Sequence, residues 1–344
     1  MSIVREKVTI IGSGNWGSVI AKIIGNNVRK YPAVFQESVN MYVFEELVQG
    51  KKLTEIINET QENVKYLPNV KLPSNIYAEP DLLKSVKDSS LLIFVLPHQF
   101  IDGTLKTLKG NIKSDAKAIS LIKGVDVRKG GLDLISHVIS RELEVDTSVL
   151  MGANIASEIA KEEFSESTLG YKNKDNAELF KLLLETPYFK ISTINDIAGV
   201  ELCGALKNVV AIAAGICDGL NAGQNTKAAV IRIGLMEMKK FARLFYDGVR
   251  DETFFESCGI ADLIATCQGG RNRKIAEAHA FTGKSFAELE ETMLNGQKLQ
   301  GTLTAMEVHQ ILEKKDLVDQ FPLFNSVYEV VFKDVKCSQL LHKL

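Results

Sequence analysis

The stretch Val8-Thr9-Ile10-Ile11-Gly12-Ser13-Gly14-Asn15-Trp16-Gly17-Ser18-Val19-Ile20-Ala21-Lys22-Ile23-Ile24 constrains the fold more than any other. A β-branched run opens it and reads as a buried strand. Three glycines follow at G-x-G-x-x-G spacing, and then Trp16, Ile20, Ile23 and Ile24 fall at helical intervals. Strand, glycine turn and helix in this order open a βαβ unit of the kind that binds dinucleotides. Each glycine has its own task in such a turn. Gly12 allows the tight bend, Gly14 lets the backbone approach a pyrophosphate, and Gly17 lets helix and strand pack closely. The start of the helix adds free N–H groups and the positive end of a dipole. The alternative is a purely structural glycine turn.

A chain of 344 residues is long enough for two domains with substantial cores. The net charge of −2 argues against a global basic field for nucleic acid or an anionic membrane, and leaves room for a local basic pocket. Cys203, Cys217, Cys258, Cys267 and Cys337 show no C-x-x-C spacing and sit mostly in apolar context. They read as reduced core thiols of a cytosolic protein. A strand begins almost at the N-terminus, so no signal or transit peptide is expected. The most apolar stretch, Leu202 to Leu220, is interrupted by Lys207, Asn208 and Asp218, which argues against a membrane span. The end, His342-Lys343-Leu344, is a distant echo of the peroxisomal address, and an ordinary terminus of a cytoplasmic protein is expected. No H-E-x-x-H, clustered Cys/His or grouped acidic ligands indicate a metal site, and no G-x-S-x-G elbow appears.

Beyond the first helix, Asn40 to Phe44 reads as a second strand followed by Glu45 and Glu46. Acids at that place hold ribose hydroxyls, so Glu45 is a candidate for them, and no cation stands immediately after Phe44 to receive a 2′-phosphate. This favours NAD over NADP. Phe44 packs in the core or touches adenine. A helix is expected over Lys51 to Asn63, a short strand at Ile76-Tyr77, and a helix from Asp81, its N-cap, to Val86. Leu91 to Leu96, Ala118 to Ile122 and Ser148 to Met151 are apolar runs suited to parallel strands covered on both faces. They stop at His98, Lys123 and Asn154, and ligands bind at the carboxyl edge of an open α/β sheet. His98 reads rather as a loop residue, whereas Lys123 and Asn154 are even candidates for function or for solvation and turn formation. Ser167 to Gly170, a helix from Asp175 to Glu185, and Tyr188 to Thr193 complete the α/β region.

Strand signals fade after Asn195, which sets an expected boundary between domains 1–193 and 194–344. The fold class is therefore α/β: an N-terminal doubly wound, mostly parallel, Rossmann-like sheet plus an all-α C-terminal domain. The second domain opens with a long helix, Asp196 to Cys217, apolar on nearly every face and therefore buried. Lys207 and Asn208 stand alone in its middle. Burial disfavours an ammonium and lowers its pKa, which suits proton transfer near neutrality. The bland alternative is a lysine that snorkels to the surface or pairs structurally. An amphipathic helix follows over Ala228 to Phe245. Asp262 is a lone acid in an apolar stretch and shares a helix face with Thr266. Gly269-Gly270-Arg271-Asn272-Arg273-Lys274 places a glycine pair beside cations. That suggests an anion site, or else an exposed basic helix start. Leu294-Asn295-Gly296-Gln297-Lys298-Leu299-Gln300-Gly301 reads as a polar loop before a helical tail.

With these pieces assembled, the sequence closely resembles the eukaryotic cytosolic NAD-dependent glycerol-3-phosphate dehydrogenases over nearly its whole length. The resemblance rests on Gly12 to Ser18, Val43 to Glu46, Leu96 to Phe100, Ser120 to Gly124, Met151 to Ala156, Glu201 to Asn208, Gly269 to Arg273 and Asn295 to Gly301. It implies interconversion of sn-glycerol 3-phosphate and dihydroxyacetone phosphate with NAD, in a homodimer. Lys207 would be the general acid/base, with Lys123, Asn154 and Asp262 supporting it around the reacting oxygen. Asn208, Thr266, Arg271 and Asn272 would hold the substrate, with Arg271 on its phosphate and also near the cofactor. Gly12, Ser13, Gly14, Asn15, Trp16, Gly17, Phe44, Phe100, Ala156, Lys298 and Gln300 would contact NAD. The departures are the loop Asn221 to Gln224 and the C-terminal tail, outside the motifs. One alternative is a related hydroxyacid or 6-phosphogluconate type dehydrogenase. Another is an NAD-sensing module without turnover, against which Lys207 and Arg271 speak.

Overall fold

The computed structural model describes residues 5–124, 126–128, 131–294 and 296–344, so Asn295 of the polar loop lies outside the described residues. Two compact units emerge. The first gathers Met1–Lys123, Ile135–Leu150 and Asn154–Ile197, and the second Gly124–Leu134, Met151–Ala153 and Ala198–Leu344.

The first unit is built on one sheet. Its strands are β1 (Glu6–Ile11), β2 (Phe35–Tyr42), β3 (Ile76–Glu79), β4 (Leu91–Phe94), β5 (Lys117–Ser120), β6 (Asp146–Gly152), β7 (Ser165–Gly170) and β8 (Phe189–Ile194), with helix α1 (Asn15–Lys30) between the first two. Their spatial order is β3-β2-β1-β4-β5-β6-β7-β8. Ile10 of β1 lies opposite Met41 of β2 and Ile93 of β4, both in parallel pairing. The β2–β3, β4–β5, β5–β6 and β7–β8 pairs are parallel as well. The order runs outward from β1 to β3 and then returns to place β4 on its other side. The carboxyl ends of β1 and β4 therefore form the switch point at which such sheets bind ligands.

Both faces are covered, which explains the uninterrupted apolar runs. Val8 and Ile10 join Val19, Ile20 and Ile23 of α1 in one core. Ile11 points the other way, into a core with Leu92, Phe94 and Ala118. Thr9 between them stays satisfied by donating to the Ser85 carbonyl at 2.6 Å.

Two stretches depart from periodicity. β2 starts at Phe35 rather than Asn40, because an irregularity opposite Glu6 and Val8 breaks the alternation at Gln36 to Ser38. The helix expected from Lys51 is Leu53–Thr60, and Leu47–Val48 pairs antiparallel with Lys51–Lys52 just before it. Gln49 and Gly50 both take positive φ in that hairpin turn, as a two-residue turn of this twist requires. Asp81 does cap the Leu82–Val86 helix, accepting from the Lys84 N–H at 3.1 Å.

The second unit is helical: α2 (Ile197–Gly219), α3 (Gln224–Phe245), α4 (Asp262–Gln268), α5 (Arg271–Thr282), α6 (Phe286–Leu294), α7 (Gln300–Lys314) and α8 (Pro322–Phe332). An antiparallel hairpin, Asp126–Arg128 with Gly131–Asp133, clusters with it. By length and composition α2 is apolar enough to cross a membrane, but its apolar stretch is wholly buried within the protein. Glycines set its contact with α5. A Cβ on Gly215 would fall 2.2 Å from the Arg273 carbonyl oxygen, and one on Gly219 2.4 Å from that of Glu277. The two backbones approach more closely there than any other residue permits. None of the five cysteines forms a disulfide. Burial pushes the thiols of Cys217 and Cys267 up to about 11 and about 12, so both are inert core groups.

Candidate active site

In the first unit the glycine turn divides its tasks. Gly12 has φ +125°, and a Cβ there would meet Leu96 N and Val95 C at 2.9 Å, so β1 can turn against the end of β4 only with glycine. A Cβ on Gly17 would lie 2.4 Å from the Gly12 carbonyl oxygen, whereas one on Gly14 would meet nothing within 4 Å. Two glycines therefore serve packing, and the third leaves an open approach to the N-terminus of α1. No side chain caps that terminus and its first turn holds no acid, so its N–H groups suit an anion. These features fit a bound dinucleotide: a bare backbone cradle with donors but no competing carboxylate. Ser13 is buried and Asn15 exposed. Trp16 is half-buried and packs edge-on against Phe189 at 6.0 Å, which anchors α1 to β8.

Phe44 follows β2 and is 73% exposed, and Phe100 in the turn after β4 is 58% exposed. Exposed aromatic rings at strand carboxyl ends offer flat faces to a base. Glu45 does not stand ready for ribose hydroxyls. Its carboxylate accepts from the Thr54 hydroxyl at 2.6 Å and the Thr54 N–H at 3.2 Å, because the start of the Leu53–Thr60 helix needs a cap. Glu46 is engaged too, by Lys65 and by the Tyr66 hydroxyl at 2.6 Å. Burial pushes its carboxyl up, but those two partners outweigh burial and hold it below its ordinary value. Lys123 is half-buried just past β5. Asn154, just past β6, accepts from the Ser167 hydroxyl at 2.9 Å, and Ala156 begins the next short helix.

In the second unit α2 carries Lys207 at 5% exposure and Asn208 at 7%. Lys207 Nζ forms an ion pair with Asp262 Oδ1, and both side chains are almost fully enclosed. Asp262 is delivered by a π-helical turn, Ser257–Ala261, that feeds directly into α4. Thr266, one turn further on, donates to the same Asp262 oxygen at 3.3 Å. Next to this cluster Asn208 accepts from Asn272 Nδ2 at 3.0 Å, and Asn272 Oδ1 accepts from the Gly301 N–H at 2.9 Å. Three segments distant in sequence are joined by that chain of amides. A Cβ on Gly301 would meet the Asn208 carbonyl oxygen at 2.6 Å, so glycine is required where α7 begins.

The cations of α5 part company. Arg273 is bound to Asp218 at 2.6 Å and Glu277 at 2.9 Å, and Lys227 reaches Asp218 at 2.7 Å. Burial pushes the Asp218 carboxyl up, yet Lys227 and Arg273 together hold it below its ordinary value. Arg271 instead meets the neutral Gln297 amide at 2.8 Å, and no carboxylate pairs with it among the described residues. Gly270, at φ +82°, turns the chain into α5 and leaves the helix without a side-chain cap. Lys298 is largely exposed and pairs with buried Glu290 at 2.7 Å, whose other oxygen takes the Leu299 N–H at 3.0 Å. Gln300 is half-buried at the first position of α7. Periodicity gave no sign of the role of Asp218, whose partner Arg273 lies 55 residues further on, or of Glu290, a carboxylate in an already acidic helix.

Family models of NAD-dependent glycerol-3-phosphate dehydrogenase match the chain in two parts, the N-terminal model over residues 7–177 and the C-terminal model over residues 196–342. The cytoplasmic NAD⁺ glycerol-3-phosphate dehydrogenase of Bos taurus is 56% identical over 340 residues, 98% of this chain and 97% of that protein. The chain belongs to this family. Among solved structures, the glycerol-3-phosphate dehydrogenase of Saccharomyces cerevisiae superposes with a TM-score of 0.95 at 46% identity, covering 99% of each chain. That of Coxiella burnetii superposes at 0.84 with 27% identity, covering 98% of each. Membership makes the chain an NAD-dependent oxidoreductase, and the N-terminal match covers the glycine turn and most of the sheet described above.

Proposed function

We propose that Lys207 moves the proton in the family's reaction, the reversible conversion of sn-glycerol 3-phosphate and NAD⁺ to dihydroxyacetone phosphate and NADH. The observation that carries this reading is the enclosed Lys207–Asp262 pair with Thr266 on the same oxygen. Oxidation of the substrate's secondary alcohol releases a hydroxyl proton, and reduction of the ketone demands one; an amine in a dry pocket can serve both directions. Asp262 fixes the position of Lys207 Nζ, and Thr266 fixes Asp262. Bound NAD supplies the hydride exchange at the substrate's carbon 2.

Arg271 is assigned to the substrate phosphate. Among the described residues it is spared a carboxylate partner, and it stands at an uncapped helix N-terminus entered through Gly269-Gly270. Asn208 and Asn272 are assigned to the substrate beside it, and Lys123 and Asn154 are the first unit's candidates for substrate handling. The cofactor is assigned to Gly12, Ser13, Gly14, Asn15, Gly17, Phe44, Phe100 and Ala156, together with Lys298, Gln300 and Arg271. Trp16 serves the cofactor by anchoring α1. In domain terms, most of the NAD contacts are assigned to 1–193 and most of the substrate contacts to 194–344. A homodimer is proposed as well, for which sedimentation should give twice the 38.0 kDa chain mass and a monomer would contradict it. Cytoplasmic residence is proposed from the names of the relatives, and a tagged chain concentrated in peroxisomes would refute it.

The deciding assay follows NADH oxidation with dihydroxyacetone phosphate, with a 3-keto acid and NADPH as comparators. Turnover should be selective for the phosphorylated ketone. NADH should exceed NADPH in kcat/KM by about tenfold or more, about 1.4 kcal/mol, since no cation stands immediately after Phe44 to receive the 2′-phosphate. Comparable turnover of the keto acid, or comparable efficiency with NADPH, would overturn the reading.

A further inference from the structure

Asn63 is fully buried beyond the end of the Leu53–Thr60 helix, in a segment that carries none of the motifs. Its side-chain amide reaches the glycine turn. Nδ2 donates to the Ser13 carbonyl at 2.8 Å and to Ser18 Oγ at 2.9 Å, while Oδ1 accepts from the Tyr66 N–H at 3.2 Å. The Ser18 hydroxyl in turn donates to the Gly14 carbonyl at 3.0 Å. One amide thus ties the two peptide carbonyls that flank the open glycine to a loop some fifty residues away in sequence.

Those ties have a directional consequence. A peptide unit is planar, so fixing its carbonyl fixes the opposed N–H of the next residue. The Ser13 carbonyl orients the Gly14 N–H, and the Gly14 carbonyl orients the Asn15 N–H. These donors stand at the uncapped start of α1. Glycine at 14 gives the turn its open approach, and it also leaves that peptide freer to rotate than any other residue would. The Gly14 carbonyl is held as well by the Ser18 N–H at 2.9 Å, the first bond of α1, so the Ser13–Gly14 peptide is the one that most needs a restraint from outside the turn, and Asn63 supplies it.

We infer that Asn63 is a positioning residue for the dinucleotide: through Ser13 and Ser18 it holds the glycine-turn N–H groups aimed at the pyrophosphate. This rests on the cofactor reading of the turn. Binding is tighter when the donors are preorganised, because the ligand does not have to order them.

The test measures steady-state kinetics with NADH and dihydroxyacetone phosphate, together with inhibition by ADP-ribose and by adenosine. Asn63→Ala should raise KM for NADH and Ki for ADP-ribose by roughly 5- to 30-fold, the range of one or two lost hydrogen bonds. KM for dihydroxyacetone phosphate and Ki for adenosine, which has no pyrophosphate, should not change. Ser18→Ala, nearly isosteric, should move the same two constants in the same direction by roughly 2- to 10-fold, and it carries the test if Asn63→Ala does not fold. Equal losses on adenosine and ADP-ribose, or unchanged constants for NADH in folded variants, would overturn the inference. Gly14→Val separates the two levels, since a side chain there has room within the protein but fills the approach. If it leaves NADH affinity intact, the cofactor reading of the turn falls and the inference falls with it. If it abolishes affinity while Asn63→Ala and Ser18→Ala preserve it, only the role of Asn63 falls.

Discussion

Arg271 and Arg273 share the first turn of α5, yet Arg273 is neutralised by Asp218 and Glu277 while Arg271 has a neutral amide for company. A guanidinium without a carboxylate keeps its charge available for a ligand. Arg271→Ala should therefore cost about 2–5 kcal/mol of kcat/KM for glycerol 3-phosphate, nearer the lower figure because the side chain is exposed. The loss should shrink for unphosphorylated glycerol, and an equal proportional loss on both would remove Arg271 from the phosphate site. This division between neighbouring cations was not legible in the sequence, where Arg271, Asn272, Arg273 and Lys274 read as one basic start. Lys207 was legible because a lone cation in an apolar helix is conspicuous. Asp262 stood out for the same reason. Asn63 and Glu290 were not, since a polar residue in a polar stretch shows nothing until its partner is known, and the partners of Asn63 lie 45 and 50 residues away. Glu45 misled, because an acid after β2 can bind a ribose or cap the next helix, and the capping need sits nine residues further on.

At the scale of elements, Glu237 of α3 supports the N-terminus of α8, accepting from the Leu323 N–H at 2.8 Å and the Phe324 N–H at 2.9 Å. Burial pushes its carboxyl up to about 7 from an ordinary 4.5, against the downward pull of those two N–H groups. The folded chain therefore retains a proton that the unfolded chain gives up. Its stabilising contribution is fully present below about pH 4.5 and is lost as pH rises through about 7, about 3 kcal/mol in all. Glu237→Gln has no such proton to lose. Thermal unfolding across this interval should show the variant gaining Tm relative to the unmodified chain as pH rises. A constant Tm difference would contradict the assignment. Most elements could be read from pattern, because the parallel strands are covered on both faces and the helices are amphipathic or wholly apolar. The irregularity in β2, the hairpin before the Leu53–Thr60 helix and the π-turn before Asp262 could not. Each breaks the period on which reading depends.

Across the whole molecule, the sheet order β3-β2-β1-β4-β5-β6-β7-β8 places the glycine turn at the switch point of the first unit, and the second unit gathers Lys207, Asp262, Thr266, Asn208, Asn272 and Arg271. Lys207, the proposed proton group, is not among the residues assigned to the cofactor, so its removal should be separable from cofactor affinity. Lys207→Ala tests this directly, with turnover of dihydroxyacetone phosphate and the NADH dissociation constant, from nucleotide fluorescence, measured on the same preparation. Turnover should fall by about 10²–10⁴-fold while the dissociation constant stays within about twofold. Lys207→Arg should not recover turnover, since a guanidinium does not give up its proton. Near-normal turnover of Lys207→Ala would move the proton path elsewhere, and a parallel loss of NADH affinity would contradict the separation of proton transfer from cofactor binding.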